Sequence, residues 1–247
     1  MTPVGCDDRP KRWLLGGTFD DSTTALPCLG TISDRAGDVG FHPLHSPSVP
    51  QPARLRIGVF GGTFDPPHVG HLVTAVNVRH ALGLDVVYLM VAHVPWQKEG
   101  SRRITPSDDR YEMVRAAVAG VDGLEASRLE IDRGGKSYTA DTLRELVERH
   151  DGADLFTIVG DDAAAGLSTW KRVDEVLAQS RVVVVDRPGT HVELEPLTDW
   201  VRVEVPRLEV SSTDLRARFH DGRPLDYLVT PDVLAVIAAR GLYQEAA

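Results

Sequence analysis

The sequence predicts an α/β protein with a doubly wound, parallel sheet, and three observations predict it. Apolar runs of strand length alternate with stretches of helical spacing between residues 56 and 240. Two of those runs, DVVYLMVA at residues 85–92 and DLFTIV at residues 154–159, are nearly continuous in apolar character, as strands covered on both faces are. Glycines close two of the runs, at Gly61-Gly62 and at Gly160, and a helical pattern follows each.

Taken in order, residues 56–60 (RIGVF) form the first strand, and Val69, Leu72, Val73 and Val76 follow at helical spacing. Residues 85–92 are the second strand and residues 107–119 a helix. Residues 124–131 read as an extended segment, Gly134-Gly135 as a turn, and residues 139–150 as a helix with Leu143, Leu146 and Val147 on one face. Residues 154–159 give a buried strand, and Gly160-Asp161-Asp162 leads into an alanine-rich helical start. A helix at residues 173–178, strands at 181–185 and 201–205, and helices at 211–220 and 231–240 complete the chain, the last closed by Gly241. In such a sheet ligands sit beyond the C-terminal strand ends, where strand order reverses, and the glycine turns after Phe60 and Val159 emerge at that edge.

The domain is expected to span residues 54–247. Residues 1–53 show no sustained period, and Pro43, Pro47, Pro50 and Pro52 crowd their end, which predicts a disordered N-terminal extension. A start codon placed too far upstream is its blandest origin. The letters GGTFD occur there at residues 16–20 and again at residues 61–65, but the first copy lacks the following prolines and histidines.

With 247 residues, 42% of them hydrophobic and 26% charged, the chain can bury one substantial core. Its formal charge of −9, spread along the chain, carries no basic footprint for nucleic acid, so a phosphate ligand needs a local positive pocket. Cys6 and Cys28 are the two cysteines, which leaves the core without a thiol nucleophile, a Cys-based zinc site or a disulfide framework. No apolar run reaches the length of a membrane span and no basic-then-apolar leader opens the chain, so a cytoplasmic protein without a membrane partner is expected.

GGTFDPPHVGH at residues 61–71 carries the chemistry. Gly61 and Gly62 allow a tight turn and close backbone approach to a ligand, and the helix beyond the prolines offers free N–H groups and a positive dipole end to an anion. His68 and His71, three apart, project to one side of the first helical turn. A helix cap with two solvent histidines is the competing reading. The glycine spacing does not match a dinucleotide fingerprint, so no redox cofactor is implied. VSSTDLR at residues 210–216 offers a second helix start: Ser211 caps it, with Asp214 in capping-box position, while Ser212, Thr213 and Arg216 add hydroxyls and a fixed positive fork. Lys98 lies on a loop at the ligand edge, as a point charge for phosphate or a solvated lysine. Thr139 opens a helix, as its cap or as a donor to a small carboxylate. Trp170 is either core or a stacking surface for an aromatic ring. His80, His150 and His220 read as surface residues.

These motifs resemble a known family. GGTFDPPHVGH and SSTDLR resemble the paired signatures of the H-x-G-H nucleotidyltransferase superfamily, and PWQK, RGGKSYTADTL and VGDDAAAGLSTWK resemble the bacterial nicotinate-nucleotide adenylyltransferases. The resemblance covers residues 54–243 and implies a single nucleotidyltransferase domain with a Rossmann-like sheet. Two departures are Asp161, where a small residue is usual, and Trp96-Gln97, where Pro-His is commoner. The resemblance implies that His68, His71 and Arg216 are catalytic and, with Ser212 and Thr213, hold the ATP phosphates. Gly61, Gly62, Thr63, Phe64 and Ser211 complete the ATP side, and Gly160 and Asp162 lie against the ATP sugar. Lys98, Tyr138, Thr139, Trp170 and Arg187 surround nicotinate mononucleotide. The implied reaction transfers the adenylyl group of ATP to that nucleotide, giving nicotinate adenine dinucleotide and pyrophosphate in NAD biosynthesis. Mg²⁺ is expected on the ATP phosphates, with no dedicated protein ligands for a metal. A pantetheine-phosphate adenylyltransferase, a cytidylyltransferase and a non-catalytic nucleotide-binding module are the alternatives, and self-association is left open.

Overall fold

The computed structural model describes residues 54–95, 103–186, 193–206 and 208–244. The expected N-terminal extension, with its copy of GGTFD and both cysteines, lies outside the described residues.

Six strands form one all-parallel sheet in the order β3-β2-β1-β4-β5-β6, with β1 Arg56–Gly62, β2 Val86–Val91, β3 Leu124–Ser127, β4 Asp154–Gly160, β5 Arg181–Asp186 and β6 Val201–Glu204. The chain lays β1, β2 and β3 outward in one direction, then returns to place β4 on the other side of β1. Strand order therefore reverses between β1 and β4, as a doubly wound sheet requires.

Helices cover both faces. The alternation along β2 decides which side chains go where: Val87, Leu89 and Val91 join one apolar cluster with Ala75, Val78, Val114 and Val118 from α1 (Val69–Leu82) and α2 (Ser107–Val118). Val86 and Met90 join the opposite cluster with Leu129 of α3 (Leu129–Arg133), Ala140, Leu143 and Leu146 of α4 (Thr139–Arg149), and Val176 of α6 (Val173–Gln179). A short α5 (Asp161–Ala165) follows β4 directly. Two C-terminal helices, α7 (Ser212–Asp221) and α8 (Pro231–Arg240), pack on α2 through Met113, Ala117, Leu215, Val233 and Ile237. No helix among the described residues is long and apolar enough to cross a membrane.

Two local expectations change. The segment read as extended over residues 124–131 is a four-residue strand followed by α3, whose five residues are too few to show a helical period. Val147 is 44% exposed while Leu143 and Leu146 are buried, so the buried face of α4 does not extend to Val147.

Candidate active site

β1 and β4 run side by side, and their C-terminal ends form a crest between two cavities. Phe60, Gly61, Gly62 and Gly160 line both of them. Both glycine turns read from the sequence thus stand at the switch point.

The first cavity adds His68, Gly70, His71 and Thr74 at the start of α1, then Asp161, and closes on Val205, Leu208 and Val210. His68 is the N-cap of α1, and the two imidazole rings lie against each other with centroids 3.7 Å apart. The His68 backbone N–H donates to Nδ1 of His71 at 3.2 Å. Nδ1 of His71 is therefore an acceptor, which leaves the proton of the neutral ring on Nε2 as a donor. His68 is 8% exposed, and burial pushes its pKa down to about 4. At neutral pH it is an uncharged imidazole, so it can meet phosphate as a hydrogen-bonding group and not as a cation. A Cβ at Gly70 would stand 3.0 Å from Val210 and 3.1 Å from the His68 ring, so the close approach of the segment before α7 favours glycine there.

The second motif reaches this cavity by bonds across the chain. Ser211 caps α7 by accepting from the Asp214 N–H, as its spacing predicts. Ser212 spends its hydroxyl proton on the Pro66 carbonyl at 2.8 Å, which leaves the first backbone N–H groups of α7 as its anion donors. The Arg216 guanidinium donates to the Asp65 carbonyl at 2.7 Å and to Thr213 Oγ1 at 3.1 Å. Tyr243, beyond α8, donates its hydroxyl to Asp65 Oδ1 at 2.7 Å. Burial and the Asp65 carboxylate raise the Tyr243 phenol well above its ordinary pKa, which keeps it a donor. Phe64, expected on the ATP side, is 2% exposed and lines neither cavity. Its ring fills the space where a Cβ of Gly62 would come within 2.7 Å, and it meets His71 edge-on with centroids 5.0 Å apart. It supports the turn from behind.

The second cavity, on the other side of the crest, is lined by Thr63, Met90, Pro95, Tyr138, Thr139 and Trp170. Tyr138 is the N-cap of α4 and makes no side-chain cap bond, so Thr139 is the first helical residue and not the cap. Its N–H is one of those a helix start leaves without an intrahelical partner. Arg172 donates to Asp141 in this first turn at 2.6 Å, and its guanidinium lies 5.9 Å from the centre of the Tyr138 ring. Trp170 follows a 3₁₀ turn, Leu167–Thr169, and packs against the cluster of Val159, Ala164 and Leu167. It is both part of a core and a wall of the cavity.

Ser211, Ser212, Thr213 and Arg216 border the first cavity without lining it, and the exposed Asp162 lines neither, its neighbour Asp161 facing the first. Lys98 and Arg187 lie outside the described residues. Three residues of the site escape the sequence reading. Lys171 brings a cation to the second cavity next to Trp170. Glu130 is a carboxylate 7% exposed in the lining of that cavity, its pKa raised by burial against the opposing pull of Ser137, Thr142 and Arg133. Arg110 is 1% exposed and donates to three backbone carbonyls. Of these only Lys171 had a local signal, its place beside Trp170.

Against known proteins, the family described as cytidylyltransferase-like matches residues 59–218. A curated relative from Corynebacterium kroppenstedtii, named "Probable nicotinate-nucleotide adenylyltransferase", is 46% identical over 192 residues, which is 76% of this chain and 90% of that protein. Relatives of the same name from Mycolicibacterium vanbaalenii and Leifsonia xyli are 41% and 42% identical and are covered over 92% and 97% of their lengths by 76% and 79% of this chain. A solved structure of Plasmodium falciparum nicotinic acid mononucleotide adenylyltransferase complexed with NaAD shares the fold, with a TM-score of 0.62 at 16% identity over 76% of this chain and 97% of that one.

Proposed function

The chain belongs to the nicotinate-nucleotide adenylyltransferases within the cytidylyltransferase-like family, and from that premise we propose how its two cavities divide the reaction. The enzyme transfers the adenylyl group of ATP to nicotinate mononucleotide. The observation that carries the division is the shared crest: Gly61, Gly62 and Gly160 separate a cavity with imidazole donors from one with an open helix start and aromatic walls.

ATP takes the first cavity, with its triphosphate toward Nε2 of His71, His68, Arg216 and the first amides of α7. Gly160 and Asp162 lie toward its sugar. Nicotinate mononucleotide takes the second, where the N–H of Thr139 and the α4 dipole suit its ring carboxylate and Tyr138 and Trp170 suit its ring. Lys171 supplies charge toward its phosphate, and the resemblance adds Lys98 and Arg187, which lie outside the described residues. An oxygen of that phosphate attacks the α-phosphorus of ATP; the new P–O bond forms as the α–β bridge breaks, and pyrophosphate leaves with the bonding electrons. The attacking oxygen is already ionised, so no general base is needed, and the work falls to in-line positioning and to donors on the leaving group. Because His68 is neutral at pH 7, it serves as a hydrogen-bonding group and Arg216 as the protein's fixed charge. Mg²⁺ is proposed as an ion carried on the ATP phosphates, where it would add positive charge when bound.

Pyrophosphate release from ATP tests the reading, with nicotinate mononucleotide, nicotinamide mononucleotide and phosphopantetheine offered in turn. Turnover is expected with nicotinate mononucleotide. Turnover with phosphopantetheine alone would overturn the reading, and equal rates on the two pyridine nucleotides would remove the role given to the α4 start. The catalytic body is residues 54–247, acting in the cytoplasm. Deleting residues 1–50 is expected to leave kcat and KM unchanged in the same assay.

A further inference from the structure

Two oppositely charged side chains are buried at the site, Glu130 in the wall of the second cavity and Arg110 outside both cavities, and neither has a part in the reaction as described. Arg110 on α2 is 1% exposed and Glu130 on α3 is 7% exposed. Burying a charge costs several kcal/mol unless its partners are well placed, and a well-packed apolar residue commonly stabilises a fold as much. Core stability alone is thus a poor reason for either. What they share is a chain of bonds.

Arg110 directs its guanidinium to three loops at the ligand edge. It donates to the Thr63 carbonyl after β1 at 2.8 Å, to the His93 carbonyl after β2 at 3.1 Å and to the Thr105 carbonyl before α2 at 2.7 Å. The same His93 residue turns its N–H the other way, onto the Ser137 hydroxyl at 2.9 Å. The Ser137 hydroxyl also stands near enough to the Glu130 carboxylate to favour its charged form. Thr142 of α4, 0% exposed, donates to Glu130 Oε1 at 2.6 Å and accepts from Arg133 at 3.1 Å. The Ser137 N–H donates to the Val94 carbonyl at 3.1 Å, which ties the loop before α4 to the end of β2 a second time. Bonds run from Thr63 through Arg110 and His93 to Ser137 and from Glu130 to Thr142, and the proximity of Ser137 to Glu130 joins the two stretches. The line begins on the loop that follows the glycine turn and ends on the helix whose first turn faces the second cavity.

We propose that Arg110 and Glu130 are positioning residues at the two ends of one buried brace, which fixes the acceptor cavity relative to the glycine turn and thereby the in-line distance between the two reacting phosphates. This inference rests on the division of the cavities proposed above. Each substrate can still bind when the brace is cut, but their mutual alignment is lost, and misplacement of reacting groups by about 1 Å costs on the order of a hundredfold in rate. A guanidinium reaching three carbonyls is the geometry that lysine cannot copy.

The experiment is a double-mutant cycle on Arg110→Lys and Glu130→Gln, read as kcat, as the KM of each substrate, and as the affinity for α,β-methylene ATP by calorimetry. Each single variant is expected to lower kcat by about tenfold or more with the affinity for the ATP analogue unchanged, and the double variant to be about as slow as the worse single, because both cut the same line. Where Arg110→Lys fails to fold, Ser137→Ala takes its place in the cycle, since it cuts the line in the middle. Single effects that multiply in the double variant, or analogue affinity that falls in step with kcat, would overturn the brace while wild-type activity stands. Wild-type protein that releases no pyrophosphate with nicotinate mononucleotide would overturn the functional reading and the brace with it.

Discussion

The two cavities meet at one crest and are assembled in opposite ways. The acceptor side draws much of its polar wall from one stretch of chain, residues 130–142, bound to itself by Glu130, Ser137 and Thr142. The ATP side is closed by residues far apart in sequence: Ser212 and Pro66 are separated by 146 residues, Arg216 and Asp65 by 151, and Tyr243 and Asp65 by 178. That local wall still relies on Arg110 and His93 to place it against the glycine turn. On the proposed division, the turn that precedes the first cavity is tied to α7 and to Tyr243, so the geometry of the ATP side also reports on the docking of the C-terminal segments.

The largest test of that contrast is His71→Ala. The ring accepts the His68 N–H and, on the proposed division, offers Nε2–H to the phosphates, so its loss is expected to remove a transition-state donor and loosen the helix start together. We expect kcat for pyrophosphate release to fall about 10²–10³-fold, the usual cost of one such donor, with the KM for nicotinate mononucleotide little changed. An acceptor KM that rises as steeply as kcat falls would erase the distinction between the two sides.

His68 gives a second test, in stability and pH. Unfolded, its imidazole takes up a proton below its ordinary value of 6.5; folded, it does so only near 4. Between those pH values the unfolded chain binds more protons, so the contribution is complete above about pH 6.5 and is lost as pH falls toward about 4. The 2.5-unit gap corresponds to about 3 kcal/mol. Denaturant unfolding at a series of pH values is expected to show His68→Gln losing about that much less stability than wild type across the window. Parallel curves would mean that burial does not hold His68 neutral.

On the acceptor side the sharpest change is Thr139→Pro. Proline is accepted at the first helical position, and Tyr138 before it already has an extended backbone, so the helix start survives while one N–H disappears. Loss of a hydrogen bond to a charged group costs about 1.5–3 kcal/mol, so the KM for nicotinate mononucleotide should rise by about tenfold or more, with that for ATP unchanged. Thr139→Ala, which keeps the N–H, should have the smaller effect. The reverse order would assign the carboxylate to the hydroxyl instead.

The sequence made the locally coded parts of both cavities legible. Strand and helix periods predicted every strand of the sheet, and the glycines, His68, His71, Tyr138, Thr139 and Trp170 all stand at the switch point. What escaped was set by partners distant in the chain. Nothing local marks Arg110, on a helix, as buried; the carbonyls of Thr63, His93 and Thr105, distant or on a neighbouring loop, are what draw it in. Phe64, read with the ATP side, turned out to fill the space behind Gly62, because nothing in GGTFD says which way the ring points. Glu130 was hidden inside a stretch whose five-residue helix has no detectable period.

Tyr243→Phe makes the smallest change and addresses the contrast most directly. The hydroxyl oxygen is the one heavy atom removed; the ring keeps its stack on Phe219, with centroids 5.2 Å apart, so the apolar docking around it is retained. Asp65 Oδ1 loses a donor in a site 1% exposed, which should cost about 1–2 kcal/mol of stability in denaturant unfolding. Because Asp65 also presents its carbonyl to Arg216, slackening it should raise the KM for ATP several-fold and leave that for nicotinate mononucleotide alone. If the KM for ATP does not move, Tyr243 docks the C-terminal helix without shaping the phosphate site, and the ATP side is more nearly self-contained than its long-range bonds imply.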